Sequence, residues 1–484
     1  MSDLITIDNV YDACERLDKE KVKNADDFKL FMSGAKSKNC KVKKLCAQMI
    51  VRYWQDFTDL RNLAFYSLVS LLEDRDPEIR KAVIREVPHV FKSGELIDKI
   101  ADVLSQMLQQ SDDMQEIAML DGVLVRFLKA YPKDVLSAIF INVMKSEEES
   151  IRLRLLKFIR SHVQQISACS EELGLFIAQH VREVMKDITA VEFDIIFEFM
   201  LSVEFFGMEK GRKVLYNIIV DQIQVDEPFP IQDPQHLDQI LYFIERAQVL
   251  MSVNFQSPEL VTFLLLKGVP VLEQIDVQLR IRLLRALVEL LPFSKSIERN
   301  CLLLVSDYFL KLIPPLPSEP KDAHVVDLNE PLEQELRLSE LEPTSLIFAS
   351  LCKADKTALN SLLKQYKDSD QWRKRMIYLG RLLQQYILSG NVELQKLRKL
   401  NFSEINKNRV LLQEDALKMA ENTLSVTKML AHKSPSFGLS ILPSWKAVNR
   451  KRGHKCNVDA KPERKKVCQD FYVPPGGKYS SEFT

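Results

Sequence analysis

The strongest constraint on the fold of this chain is an internal repeat between residues 27 and 206. A unit of roughly 34 to 41 residues recurs there, and each unit has two amphipathic segments joined by a polar turn. One such helix pair cannot bury its apolar stripe alone, whereas stacked pairs bury a continuous core. The repeat therefore predicts an all-α fold, an α-solenoid, whose second segments start near Lys41, Glu78, Gln115, Ser150 and Val191.

The starts of these helices carry the expected local chemistry. Asp76 can cap a helix and Pro77 suits its first position, because acidic side chains favour the positive helix N-terminus. Glycine is scarce, with 13 residues in 484, although Rossmann sheets and β-rich folds need it at fixed turns. The period of about 37 residues fits HEAT-type units better than the tetratricopeptide unit of about 34, so residues 1–206 are assigned to HEAT-like repeats.

Helical periodicity continues through residues 207–432 and predicts a second helical domain with less regular spacing. Residues 313–343 interrupt it, because they hold six of the chain's 20 prolines together with a surplus of acidic residues. We expect this stretch to be an exposed acidic loop. Residues 433–484 are rich in Pro, Gly, Ser and Lys, and we expect a disordered basic tail there.

The tail carries two basic clusters in the arrangement of a bipartite nuclear localisation signal. Nine Lys or Arg and two acids lie between residues 446 and 466. A mobile basic segment suits the acidic grooves of nuclear import receptors, so we expect the protein to enter the nucleus. A merely solubilising tail and a segment that contacts RNA or other nucleic acid are the alternatives. The expected signal consists of Arg450, Lys451, Arg452, Lys461, Arg464, Lys465 and Lys466.

One predicted helix could either bind a partner or belong to the core. Its apolar residues follow a heptad pattern over about two and a half heptads, whereas a coiled coil normally needs three or four. The alternative is a core helix of the second stack. The residues of this candidate partner-binding helix are Trp372, Met376, Leu379, Leu383 and Tyr386.

The sequence contains no catalytic, cofactor-binding or metal-binding motif. G-x-S-x-G, G-x-G-x-x-G and H-E-x-x-H are all missing. His454, Cys456 and Cys468 lie together in the tail, but a fourth ligand for a metal is lacking. We therefore expect a protein that is not an enzyme and holds no cofactor.

Charge, cysteine usage and hydropathy narrow the remaining classes of protein. Lys plus Arg and Asp plus Glu each number 67, so the whole molecule is no polyanion binder. The eight cysteines form no C-x-x-C pair, which favours reduced thiols. Uninterrupted apolar stretches of 18 residues are missing, so we expect no membrane span. We also expect the protein to be a monomer.

Three stretches of the sequence resemble the apoptosis inhibitor 5 family, also called the antiapoptosis clone 11 family. Residues 73–113 are similar to its second repeat, and Ser444-Trp445-Lys446-Ala447-Val448 is similar to its S-W-K-P-V element. Residues 472–481, which read YVPPGGKYSS, resemble its Y-x-P-P-x-G-K-Y-S-S ending. Length and helix order agree from about residue 10 onwards.

This resemblance implies a HEAT-like first half, an armadillo-like second half, a nuclear address and no catalytic activity. It also implies suppression of apoptosis through protein binding, with a partner like the nuclear protein Acinus and another like basic fibroblast growth factor. The leucine-zipper segment of the family falls on the helix from Trp372 to Leu388. Only Leu379 and Leu383 supply heptad leucines there, which departs from a true zipper.

Overall fold

The structure is a computed structural model, and it describes residues 5–19, 24–90, 94–166, 170–252, 255–256, 258–294, 299–316, 336–355, 359, 362, 369–399, 404–432 and 441–446. Within these residues it contains 20 α-helices and no strand, which confirms the all-α helical-repeat solenoid. No helix in these ranges is both long enough and apolar enough to cross a membrane.

The helices of the first half are α1 (Ile7–Lys19), α2 (Ala25–Gly34), α3 (Cys40–Arg52), α4 (Arg61–Leu72), α5 (Pro77–Val90), α6 (Ile97–Gln110), α7 (Met114–Ala130), α8 (Pro132–Lys145), α9 (Glu149–Ser161), α10 (Glu171–Val184), α11 (Ala190–Ser202) and α12 (Glu204–Gly207). Those of the second half are α13 (Glu209–Ile223), α14 (Pro234–Leu250), α15 (Glu259–Phe263), α16 (Val277–Leu290), α17 (Arg299–Leu312), α18 (Leu338–Ala354), α19 (Ser369–Lys399) and α20 (Glu404–Ala431).

The five predicted second helices are present as α3, α5, α7, α9 and α11, and each starts within one residue of its predicted position. Helix α5 packs between α3 and α7, α9 packs on α11, and the first helices α6, α8 and α10 pack in a second row. Each pair therefore buries its apolar stripe against the pairs before and after it, as the repeat predicted.

Side-chain caps fix the starts of four of the five second helices, α3, α5, α7 and α11. The carboxylate of Asp113 accepts hydrogen bonds from the backbone nitrogens of Gln115 and Glu116 at the start of α7. At the start of α11, Thr189 and Glu192 form a capping box, in which each side chain accepts from the other residue's backbone nitrogen. These bonds satisfy backbone donors that have no partner inside the helix.

Buried ion pairs join successive second helices at equivalent positions. In each, an arginine on the fourth residue of one helix meets a glutamate on the third residue of the next second helix. All three glutamates are almost completely buried, so each needs this partner to remain charged in the core. The pairs are Arg80–Glu116, Arg152–Glu192 and Arg280–Glu340.

The C-terminal end of the acidic stretch 313–343 differs from the expected exposed loop, because it forms the start of α18. Helix α18 begins at Leu338, and Glu340, Glu342 and Pro343 are buried. Glu340 is buried because Arg280 pairs with it and Tyr308 donates a hydrogen bond to it. The prediction was wrong for residues 338–343, and residues 317–335 of the predicted loop lie outside the described part of the chain.

The C-terminal end of the fold is a long hairpin of α19 and α20 that packs on α18. Residues 441–446 follow and lie against α14, α16, α18 and α20, so this short stretch differs from the expected disordered tail. We call Ile441–Lys446 the strap. Residues 433–440 and 447–484 lie outside the described part of the chain.

Candidate protein-interaction surface

The starts of parallel second helices lie side by side along one edge of the solenoid. The Thr189 hydroxyl at the start of α11 donates to the Glu149 carboxylate at the start of α9, at 2.9 Å. Exposed carboxylates crowd this edge in the turns before α5, α7, α9 and α11, where Arg75, Lys145 and Lys186 are the exposed cations. We call it the acidic edge, and its carboxylates belong to Glu73, Glu78, Asp112, Glu147, Glu148, Glu149 and Asp187.

Hydrogen bonds from neighbouring cations favour the ionised forms of buried Glu116 and partly buried Asp113 on this edge. A hydrogen bond from Arg80 is the main cause that lowers the pKa of Glu116 below its ordinary value. Lys81 lowers the pKa of Asp113 in the same way. Among the exposed carboxylates, Glu78, Asp112 and Asp187 also lie within 4.0 Å of a cation. Because carboxylates outnumber cations along the edge, it presents negative charge at neutral pH and suits a basic surface.

The strap binds the helical body through a buried carboxylate of α18. Ser444 donates to Glu342 twice, from its backbone nitrogen at 2.8 Å and from its hydroxyl at 2.5 Å. Asn422 of α20 donates to the same carboxylate at 2.6 Å. The Asn422 amide also donates to the Leu442 carbonyl, and Lys418 donates to the Ser444 carbonyl. Glu342 is only 1% exposed, and the strap supplies two of the three hydrogen bonds to its carboxylate.

The strap also places an indole ring in a groove between α14 and α16. Trp445 donates from its indole nitrogen to Glu289 at 3.1 Å, and Arg285 lies 5.1 Å from the centre of the ring. Lys446 forms an ion pair with Glu289, and Gln248 of α14 donates to the same carboxylate at 3.2 Å. The groove has a volume of about 430 Å³, and the strap residues form part of its wall.

The candidate partner-binding helix is part of the core. Trp372, Met376, Leu379 and Leu383 are buried, and Tyr386 is partly buried. Helices α18 and α20 cover this side of α19, and Trp372 packs on Phe348 of α18. The partner-binding interpretation of this stripe is corrected accordingly, because its apolar face is used within the chain itself.

The expected nuclear localisation signal, residues 450–466, lies outside the described residues, as do His454, Cys456 and Cys468. Within the described ranges, no group of three or more His, Cys, Asp or Glu side chains could hold a metal ion.

Sequence reasoning missed Glu289, Glu342 and Asn422, the residues that hold the strap. None of them belongs to a recognisable motif, and their partners are up to 156 residues away. Trp445 could have indicated the site from sequence. A tryptophan in an otherwise polar segment usually packs its ring on the folded body and donates a hydrogen bond from its indole nitrogen.

Comparison with known proteins gives matches along nearly the whole chain. The sequence profile of the family described as Apoptosis inhibitory protein 5 (API5) matches residues 7–478. Apoptosis inhibitor 5 of Gallus gallus is 28% identical over 479 residues, which cover 94% of this chain and 89% of that protein. Apoptosis inhibitor 5 of Homo sapiens is 28% identical over 493 residues, covering 97% and 91%. The Drosophila melanogaster homolog is 23% identical over 491 residues, covering 95% and 89%.

Proposed function

This chain belongs to the Apoptosis inhibitory protein 5 family, and from that premise we infer that it is a nuclear scaffold that restrains apoptosis by binding other proteins. The relatives carry inhibition of apoptosis in their names, and this chain matches them over nearly its whole length. A stack of helices presents a long surface on which many small contacts add up, which suits protein binding rather than the chemistry of a substrate pocket.

The acidic edge is the single observation that carries the proposal for how partners bind. Its exposed carboxylates lie on four successive turns and face solvent together. A partner with a basic surface, such as a protein like basic fibroblast growth factor, would be attracted to this edge. A partner like Acinus would bind the same solenoid, and a nuclear import receptor would bind the basic cluster from Arg450 to Lys466.

In this account the protein is not an enzyme, and the acidic side chains act by attraction rather than by proton transfer. The buried Glu116 is ion-paired, and the partly buried Asp113 is ion-paired and caps a helix, so each already has a structural partner. Neighbouring cations lower the pKa of Glu116 and Asp113, which is opposite to the raised pKa that a carboxyl needs to donate a proton near neutral pH.

Charge reversal on the acidic edge tests this function in cells. The variant carries Glu73→Lys, Asp112→Lys and Glu147→Lys, one exposed position on each of three turns. The control carries Glu393→Lys, Asp415→Lys and Glu421→Lys on the exposed surface of α19 and α20, with the same change in net charge. Both are expressed in cells lacking the parent protein and deprived of growth factor, and DNA fragmentation is measured.

We expect the control to protect cells as well as the parent does, whereas the edge variant loses protection while remaining in the nucleus and folded. If the edge variant protects cells as well as the parent does, the acidic edge does not bind the partners that restrain apoptosis. Loss of protection by both variants would indicate that net charge, rather than this surface, matters. Imaging of each variant in the same cells separates failure of nuclear entry from failure of partner binding.

A further inference from the structure

We propose that Ser444 is a phosphorylation site and that its phosphoester releases the strap from the helical body. Ser444 contacts the carboxylate of Glu342 through two hydrogen bonds. The Ser444 hydroxyl lies 2.5 Å from one carboxylate oxygen, and its backbone nitrogen lies 2.8 Å from the other. Both bonds need a donor at Ser444, and a phosphorylated side chain near neutral pH offers acceptor oxygens in place of the hydroxyl donor.

The surroundings of Glu342 make this contact sensitive to added negative charge. Glu342 is 1% exposed, and none of the ion pairs between described residues includes it. Its carboxylate is held by hydrogen bonds from Asn422 and Ser444. A phosphoester adds a charge of roughly −1.5 to −2 at pH 7, directly beside this buried carboxylate. Repulsion at low dielectric and the bulk of the phosphoryl group both oppose the docked state.

The modification is a simple group transfer from a nucleoside triphosphate, catalysed by a protein kinase. The Ser444 oxygen forms a bond to the terminal phosphorus, the bond between that phosphorus and the bridging oxygen breaks, and a nucleoside diphosphate leaves. The hydroxyl proton passes to a base of the kinase and then to solvent. Ser444 is partly exposed in the docked strap, and the kinase reacts with the strap in its released state.

Release of Ser444 would carry the rest of the strap with it, because the segment is only six residues long. The indole bond from Trp445 to Glu289 and the ion pair of Lys446 with Glu289 would be lost together. The last described residue held to the helical body before Arg450 would then be His432 instead of Lys446. The longest reach from that point to Arg450 would grow from about 14 Å to about 60 Å, for four and 18 residues respectively.

A longer tether would free the basic cluster for an import receptor, and this consequence alone rests on the proposed function. The release itself does not depend on it. A strap that opens without any effect on nuclear entry would therefore leave the switch intact and count against the proposed role of the tail. A strap that stays docked would overturn the switch whatever the function of the protein.

The test compares full-length proteins made with phosphoserine at a single position. Phosphoserine at 444 is compared with the unmodified chain and with phosphoserine at Ser425, an exposed position on α20. Hydrogen exchange of residues 441–446 is followed by mass spectrometry, and Trp445 emission is followed in parallel, with Trp445→Phe assigning the signal. Circular dichroism checks that helix content is unchanged.

We expect phosphoserine at 444 to speed exchange of the strap by roughly ten-fold or more, the change that loss of one hydrogen bond to a charged group would cause. The Trp445 emission should shift to that of a solvated indole, and the Ser425 control should match the unmodified chain. Equal protection of the strap in all three proteins would overturn the proposal. If cells use this switch, protein recovered from growing or serum-deprived cells should carry phosphate on Ser444. Absence of phosphate on Ser444 under both conditions would also overturn the proposal.

Discussion

The indole nitrogen of Trp445 donates a hydrogen bond to Glu289 on α16 at 3.1 Å, across 156 residues of sequence. With the bonds from Ser444 to Glu342, it makes the strap part of the folded body rather than part of the tail. The folded body therefore includes residues up to Lys446.

Truncation tests this boundary. A chain of residues 1–446 should melt within about 1 °C of the full chain, because it keeps every described contact. A chain of residues 1–440 should melt about 5 °C lower, since it loses two of the three donors to the Glu342 carboxylate and both contacts of the strap with Glu289. Differential scanning calorimetry measures both midpoints. Equal melting of the two truncations would mean that the strap contributes nothing to the fold.

The buried pair between α9 and α11 should stabilise the first half far more than an exposed pair on the same helices. Glu192 is 0% exposed and accepts from Arg152 at 3.0 Å while also closing the capping box with Thr189. Glu192→Gln should therefore lower the free energy of unfolding by about 3 kcal/mol.

The matched control is Glu198→Gln, which removes the exposed pair between Arg160 and Glu198 on the same two helices. It should cost less than about 1 kcal/mol. Urea denaturation followed by circular dichroism gives both values. Similar losses for the two variants would show that the burial of Glu192 adds nothing to the interaction.

The pair between Arg80 and Glu116 predicts how stability depends on pH. The hydrogen bond from Arg80 lowers the pKa of Glu116 below its ordinary value of 4.5. A group with a lowered folded pKa contributes stability that is present above the unfolded pKa and is lost as pH falls through the folded pKa. The free energy of unfolding should therefore fall as pH drops below about 4.5, and Glu116→Gln should flatten this slope.

The measurement is urea denaturation of the parent and of Glu116→Gln at several values of pH between about 3 and 7. The difference between the two proteins should be largest near neutral pH and should shrink towards acid. A constant difference across that range would contradict the assignment of the acid slope to Glu116.

Two glycines should respond in opposite directions to alanine. A Cβ atom added at Gly211 on α13 would lie 2.0 Å from the backbone oxygen of Phe205, so Gly211→Ala forces the backbone apart. We expect a loss of about 2 kcal/mol. At Gly122 on α7 a Cβ atom meets nothing within 4 Å, so Gly122→Ala should raise stability by about 0.8 kcal/mol through helix propensity. Thermal melts of both variants check the two signs.

The first half of the fold could be predicted from sequence because its determinants are local. Asp76 and Pro77 mark the start of α5, and α5 begins at Pro77. The capping box of Thr189 and Glu192 likewise acts within four residues. The spacing of the apolar residues predicted which face of each helix is buried, because stacked helix pairs bury that face against the neighbouring repeats.

The second half was harder to predict because charge and composition there depend on distant partners. Glu340 and Glu342 lie in a proline-rich acidic stretch that resembles a solvated loop, and they are buried because Arg280 and Ser444 bind them. The role of the apolar heptad stripe on α19 was hard to predict for the same reason. A heptad pattern shows that a face is apolar, but only tertiary packing decides whether the chain itself or a partner covers it.

The most direct test of the account is a pull-down from nuclear extract with residues 1–446 and with the full chain as baits. The extract is treated with nuclease, the beads are washed at physiological salt so that contacts between exposed charges survive, and bound proteins are identified by mass spectrometry. We predict that both baits retain the same proteins, with a basic protein among them, and that Glu73→Lys, Asp112→Lys and Glu147→Lys together remove that protein. Binding that requires the tail and vanishes with nuclease would contradict the account and favour contact with nucleic acid through the basic cluster.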